Sequence, residues 1–199
     1  SVIGAGIVGV STAIWLQRSG FKVTIIDQKG PATGASHGNA GILAASSIIP
    51  VPNPSLIKKL PFYLLSKNSP VFFKMSYLPK MFPFLMSYLS KSNLREVNKY
   101  AERMTPLIFD TVSQHKSLSK GTGAEKFISN QDYCFGYETE KNFLNDKKVW
   151  KLRQKHGLPF EVVTGNEFSK FDPFYKDLFD VIVKCKNHGK ISDPGLYVK

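Results

Sequence analysis

Acidic residues are missing from a long stretch of this chain. None stands between Asp27 and Glu96, while Lys29, Lys58, Lys59, Lys67, Lys74, Lys80, Lys91 and Arg95 all fall there. Overall 27 basic residues face 15 acidic ones, a net charge of +12. Cysteine is nearly absent too. Cys134 and Cys185 stand 51 residues apart, with neither metal-ligand spacing nor the setting of a nucleophile, and they read as reduced structural thiols of a cytoplasmic chain. No apolar run reaches 18 residues free of charge or proline, so no membrane-spanning helix is expected, and no signal peptide precedes the first motif. Internal repeats and low-complexity tracts are lacking. What remains is ordinary for a soluble globular protein: 42% hydrophobic and 21% charged residues in 199, enough for one large domain or two small ones.

The interval without acids is also rich in bulky apolar side chains, among them Phe62, Phe72, Phe73, Tyr77, Phe82, Phe84, Met86 and Tyr88. Packing helices with basic outer faces are the ordinary reading. A peripheral membrane contact, with apolar side chains among anionic head groups, is the second. Nucleic-acid binding is the third and is disfavoured, because the bulky residues cluster like a core and no recognition motif accompanies them. Pro79 and Pro83 exclude a straight spanning helix.

The first nine residues carry the sharpest signal. Gly4, Gly6 and Gly9 give the G-x-G-x-x-G spacing directly after Val2 and Ile3, the end of an apolar strand. Gly4 allows the tight turn, Gly6 lets backbone approach a pyrophosphate, and Gly9 lets the next helix pack closely. The pyrophosphate would sit at that helix's N-terminus, where unpaired N–H groups and the positive dipole end favour an anion. Val8, Ala13, Ile14 and Leu16 continue as an amphipathic helix stopping at Gly20. Residues 21–27 follow as a β-branched strand ending in Asp27, 18 residues after Gly9 and close to the roughly 20 expected of a ribose-binding carboxylate. Asp27 would repel a 2′-phosphate, which argues against NADP.

Further on, Pro50, Pro52 and Pro54 mark an extended linker. Asn93 with Glu96 reads as a capped helix start, continued through Ile108 with a kink at Pro106, and Gly121 and Gly123 end that region. Residues 133–137 read as a strand, 139–156 as a charged helix stopped by Gly157, and 160–163 as a short strand. Thr164 with Glu167 forms a second capping box. Residues 180–186 read as a strand and 187–189 as a turn. Asp193 and Pro194 open a helix. A chain that starts on a glycine turn and stops on a freshly capped helix is expected to be an internal piece of a longer one.

A second motif follows the ribose acid: Gly34, Ala35, Ser36, His37, Gly38, Asn39, Ala40 and Gly41. Small residues let backbone amides reach a cofactor larger than a nicotinamide dinucleotide, while Ser36 and Asn39 offer side-chain hydrogen bonds. With these two motifs the sequence resembles the FAD-dependent D-amino acid oxidase and dehydrogenase family, in particular its bacterial dehydrogenases. The likeness extends weakly through residues 50–61, 98–104, 156–161 and 193–194. It implies an α/β fold in which a Rossmann-like FAD-binding domain carries an inserted α+β substrate domain, both incomplete here. Residues 1–50 would form the first part of the FAD domain, 51–130 a helical connection and the start of the substrate domain, 131–190 substrate-domain strands and helices, and 191–199 a helix returning to the FAD domain.

The cofactor residues implied are Gly4, Gly6, Ile7, Val8, Gly9, Asp27, Gln28, Ser36, His37, Asn39, Ala40 and Gly41. His37 reads as a cofactor contact rather than a base. The family's substrate-carboxylate arginine would lie beyond Lys199, so Arg95, Arg103 and Arg153 are not nominated and no catalytic residue is assigned. The expected chemistry is oxidation of a D-amino acid C–N bond, hydride passing to the flavin and the imine being hydrolysed to a keto acid and ammonia. A glycine or sarcosine oxidase, or a flavin-binding protein with a basic membrane or nucleic-acid face, is the alternative. The expected partners are a small amino-acid substrate and no nucleic acid. Peripheral contact at the inner membrane and a quinone acceptor stay open beside a cytoplasmic location.

Overall fold

The computed structural model describes residues 1–55, 74–175 and 177–199 of the chain. It is a mixed α/β protein whose chain divides into two units, Ser1–Ala45, Asp110–Tyr133 and Cys185–Lys199 in the first and Ser46–Phe109 and Cys134–Lys184 in the second.

The first unit opens with a parallel β–α–β arrangement. Strand β1 (Val2–Ile3) pairs with β2 (Ile25–Ile26), Val2 beside Ile25 and Ile3 beside Ile26. Helix α1 (Ile7–Arg18) crosses between them and ends where Gly20 takes φ +89°. The strand expected over residues 21–27 is paired only at its end, because β1 offers two residues to pair with. Strand β3 (Ile42–Leu43) lies antiparallel to the end of β6 (Val181–Ile191), Leu43 facing Gly189. Strand β4 (Ile128–Tyr137) flanks β6 on its other side. A buried cluster of Ala32, Leu43, Ile191, Tyr197 and Val198 forms the core, with Ile7, Val10, Val112 and Phe127 against it.

Helix α4 (Thr111–Ser119) belongs to the first unit. Its C-terminal carbonyls are held from α1: Arg18 donates from Nη1 to Ser117 O (2.9 Å) and from Nη2 to Leu118 O (2.9 Å) and Lys120 O (3.1 Å). A guanidinium at a helix C-terminus satisfies carbonyls that have no intrahelical donor and complements the dipole.

In the second unit, α2 (Leu78–Ser90) runs through Pro83, and α3 (Leu94–Ile108) passes Pro106 in its last turn. The Asn93 side chain accepts from Glu96 N at 3.1 Å, the N-cap read from sequence. Helix α5 (Glu140–Lys155) is capped by Thr139 and stopped by Gly157 at φ +80°. Strand β5 (Phe160–Thr164) leads into α6 (Gly165–Ser169) through the capping box of Thr164 and Glu167. Trp150, 2% exposed, anchors an aromatic cluster. Its ring lies 5.2 Å from Phe135 and 5.0 Å from Phe160, with the Arg153 guanidinium 4.4 Å from its centroid. Its Nε1–H donates to Tyr137 Oη (2.8 Å), whose hydroxyl donates to Asp146 (3.2 Å). Burial first, and Asp146 in addition, pushes the Tyr137 phenol up to about 12, so it remains a donor at physiological pH.

Two sequence expectations change. The turn expected at residues 187–189 lies inside β6: Asn187 takes φ +61°, and the strand then resumes to Ile191. Helix α2, within the basic stretch, buries none of its residues, less than the reading of packing helices expects. Residues 56–73 of that stretch, with Lys58, Lys59 and Lys67, lie outside the described residues. Among the described residues no helix is long and apolar enough to cross a membrane.

Candidate functional site

The candidate site lies in the first unit, at the N-terminus of α1. Gly9 is there because nothing larger fits: a Cβ would stand 1.9 Å from the Gly4 carbonyl oxygen. Gly4 itself turns at φ +97°, with nothing within 4 Å of where a Cβ would be, so open space remains over the turn. A Cβ on Gly6 would stand 3.1 Å from Ser36 Oγ. The second motif therefore packs directly on the first.

Ser36 is buried, and its Oγ accepts from Ile7 N at 2.8 Å. Of the two helix-start amides expected to face an anion, that of Ile7 is thus committed inside the protein. The amide of Val8, an exposed residue, has no acceptor among the described residues. It belongs to the helix turn whose N–H groups lack intrahelical partners.

Asp27 closes β2 with both carboxylate oxygens engaged. Oδ2 accepts from Ala5 N (2.8 Å), and Oδ1 accepts from Lys29 N (2.8 Å) and Gly30 N (2.9 Å). The Ala5 amide foremost, with those of Lys29 and Gly30, holds its carboxyl below the usual carboxylate range. A carboxylate has about four acceptor positions, so three bonds leave room for a further donor. Gln28 beside it is exposed.

The loop after Ser36 is shaped from within. Asn39 donates from Nδ2 to Ala35 O (3.1 Å) and accepts at Oδ1 from Gly41 N (2.9 Å), so its amide is spent on the loop. Gly41, at φ +64°, abuts β6: a Cβ would stand 2.1 Å from Ile191 O. His37 and Ala40 are exposed, and the His37 ring lies against the backbone of Gly195 in helix α7 (Pro194–Val198). A cavity of about 190 Å³ is bordered by Ile7, Ser36, Asn39, Gly41, His115 and Tyr197. It is smaller than the ~300–1,000 Å³ of sites that enclose a small molecule, so an extended ligand would have to lie over the open turn.

His115, Tyr197, Ile191 and Gly195 stand out in this structure with no counterpart in the sequence reading, since they approach the motifs from far along the chain. The arginines left unassigned have structural surroundings: Arg153 packs on Trp150 and donates to Ser46 O (3.3 Å), while Arg103 is exposed on α3.

A glycine turn at a helix N-terminus between parallel strands, closed by a carboxylate, defines a dinucleotide-binding α/β protein. The chain belongs to the FAD dependent oxidoreductase family, which matches residues 1–199. It is 35% identical to a D-amino-acid oxidase of Bradyrhizobium diazoefficiens, over 100% of this chain and 48% of the relative. A D-amino acid dehydrogenase 1 of Mesorhizobium japonicum is 28% identical over 81% of this chain and 39% of its own length. Among solved structures, a glycine oxidase of Geobacillus kaustophilus superposes with a TM-score of 0.57 at 16% identity, covering 98% of this chain and 40% of that one. The chain thus spans about half the length, or less, of these relatives. FAD is the cofactor of the family, and the glycine positions, the Val8 amide and the carboxylate present here fit it.

Proposed function

We propose that the protein oxidises the C–N bond of D-amino acids with FAD, giving an imine that water converts to a keto acid and ammonia. The packing of Ser36 under the G-x-G-x-x-G helix start carries this reading, in a chain matching the FAD dependent oxidoreductase family throughout and similar to proteins named for D-amino acid oxidation. Bound FAD supplies a hydride acceptor. This chain's residues would hold it. The open turn at Gly4 and Gly6 and the amide of Val8 would take the pyrophosphate, and Asp27, kept ionised, would accept from a ribose hydroxyl. Gly9 and Ile7 would set the helix start. Gln28, His37, Asn39, Ala40 and Gly41 would border the cofactor's path.

The purified protein is expected to be yellow, to release FAD on denaturation, and to bleach anaerobically with D-amino acids. A supernatant holding only NAD, or no flavin, would sink the cofactor assignment. Bleaching by glycine or sarcosine but not by chiral D-amino acids would move the reading to an amine oxidase. A flavin that no amine bleaches would leave a binding protein.

A peripheral contact with an anionic membrane, with quinone as acceptor, is the second part of the proposal. Its support is α2, where Phe82 (61%), Phe84 (62%) and Met86 (52%) are exposed, together with Tyr77 just before it. Lys74, Lys80 and Lys91 flank them, with no acid from residue 28 to 95. At about 1 kcal/mol per cation near such a surface, three lysines give on the order of a hundredfold preference for anionic vesicles, lost in high salt. Flotation with anionic and neutral liposomes measures it. Equal recovery on both, at any salt, would return α2 to an ordinary solvated helix.

A further inference from the structure

We propose that Tyr197, through its hydrogen bond to His115, is a positioning residue for the loop of residues 34–41, clamping it from a short helix remote in sequence. The clamp is an arrangement of this chain alone. Its meaning for the cofactor rests on the FAD reading above.

Helix α7 grips the loop at two points. Just before it, Ile191 N donates to Gly41 O at 2.7 Å, and a Cβ on Gly41 would also stand 3.2 Å from Pro194. Within it, the Gly195 backbone supports the His37 ring so closely that a Cβ there would stand 2.8 Å from Nδ1. Displacement of α7 would therefore be felt at both ends of the motif, residues 37 and 41.

A helix of five residues does not hold its own position. Its N-cap, Asp193, accepts from Leu196 N (2.8 Å), which fixes the helix start, and the preceding Ser192 N donates to Phe127 O (2.9 Å), which leaves the helix itself untied. Tyr197 supplies the outward tie. Its hydroxyl lies 3.0 Å from His115 Nδ1 and 3.3 Å from the His115 carbonyl oxygen, which accepts from it. The rings stand 5.7 Å apart. Burial holds the imidazole below its ordinary range and the phenol above its own, so the pair is neutral at physiological pH.

Phenylalanine would fill the same core volume at position 197, which is 7% exposed. A hydroxyl in such a place costs stability unless it is bonded, so its use is the bond to α4. Tyr197 and Ile7 also border one cavity with Ser36, whose Oγ holds the Ile7 amide. The phenol thus backs the helix start as well as the loop.

The test compares Tyr197→Phe with wild type in the purified protein. Amide exchange of His37 and Gly41, whose N–H groups are bonded in this structure, is measured without flavin, and the FAD dissociation constant by flavin fluorescence. Faster exchange at both amides and a dissociation constant raised about three- to tenfold are expected. His115→Gln, which keeps a polar partner for the hydroxyl, should stay near wild type, and His115→Leu, which loses the ring partner but keeps the carbonyl acceptor, should fall between wild type and Tyr197→Phe. Gly20→Ala, which strains the end of α1 in the same unit without touching α4 or the loop, should lower the melting point without changing either readout.

Unchanged exchange and FAD affinity in Tyr197→Phe would overturn the proposal. So would equal changes in Gly20→Ala, which would mark Tyr197 as general support of the unit. A wild type without FAD affinity would sink the cofactor assignment, while faster loop exchange in Tyr197→Phe would still support the clamp.

Discussion

Alanine at Gly9 is expected to leave the protein with less than a tenth of its flavin and a melting point at least 5 °C lower. The added Cβ would lie 1.9 Å from Gly4 O and 3.0 Å from Gly4 C. Both are backbone atoms of the turn and cannot rotate away as a side chain would. Overpacking costs about 1–3 kcal/mol where side chains can adjust, and more where backbone must move; at about 2–4 °C per kcal/mol for a chain of this size the melting shift follows. The helix start would shift off the turn, and the anion-binding geometry would go with it.

Gly20→Ala separates this clash from conformational strain. Gly20 sits at φ +89° with nothing within 4 Å of a Cβ. It should cost about 1–2 kcal/mol for the left-handed conformation and leave flavin binding intact. The flavin-to-protein ratio after gel filtration and a thermal melt decide both. Stoichiometric FAD in Gly9→Ala would show that the turn is not where the cofactor is held.

Trp150→Ala should be the most destabilising substitution in the second unit, by about 3–5 kcal/mol. The side chain is 2% exposed and packs with Phe135, Phe160 and the Arg153 guanidinium. Trp150→Phe keeps much of that packing but removes the 2.8 Å bond to Tyr137, and about 1–2 kcal/mol is expected. A melting loss near 10 °C for alanine against roughly 3–5 °C for phenylalanine would assign the stability to packing. Equal losses would assign it to the Trp150–Tyr137–Asp146 chain of hydrogen bonds.

Local signals were the legible ones. Asn93, Thr164 and Asp193 each cap the helix expected of them, because a capping bond spans three residues and leaves its pattern in the sequence. The glycine turn was legible for the same reason, and Asp27 from its place at the end of a β-branched strand. Asn187 and Gly189 misled because turn residues also serve close approach: a Cβ on Gly189 would stand 3.0 Å from Ser129 O.

Contacts made across long separations leave no such pattern. Ser36 takes the Ile7 amide 29 residues away, which withdraws one expected anion donor, and Tyr197 reaches His115 across 82 residues. Asn39 was read by residue type as a ligand contact, yet both ends of its amide close on its own loop. Residue type shows what a side chain can bond to; the tertiary path decides what it meets.

The discontinuity of the first unit bears on how the chain emerges from the ribosome. Its opening β–α–β segment ends at Ala45, but the strand and helix that complete its core begin at Cys185. At about 5–20 residues per second, roughly 7–28 s of translation separates the two. Throughout that interval Leu43 and Ala32 lack Ile191 and Tyr197, and the nascent glycine turn cannot acquire its final support. Nascent-chain chaperones should therefore engage this protein early and release it late, and the order of events is set by chain connectivity rather than by the strength of any one contact.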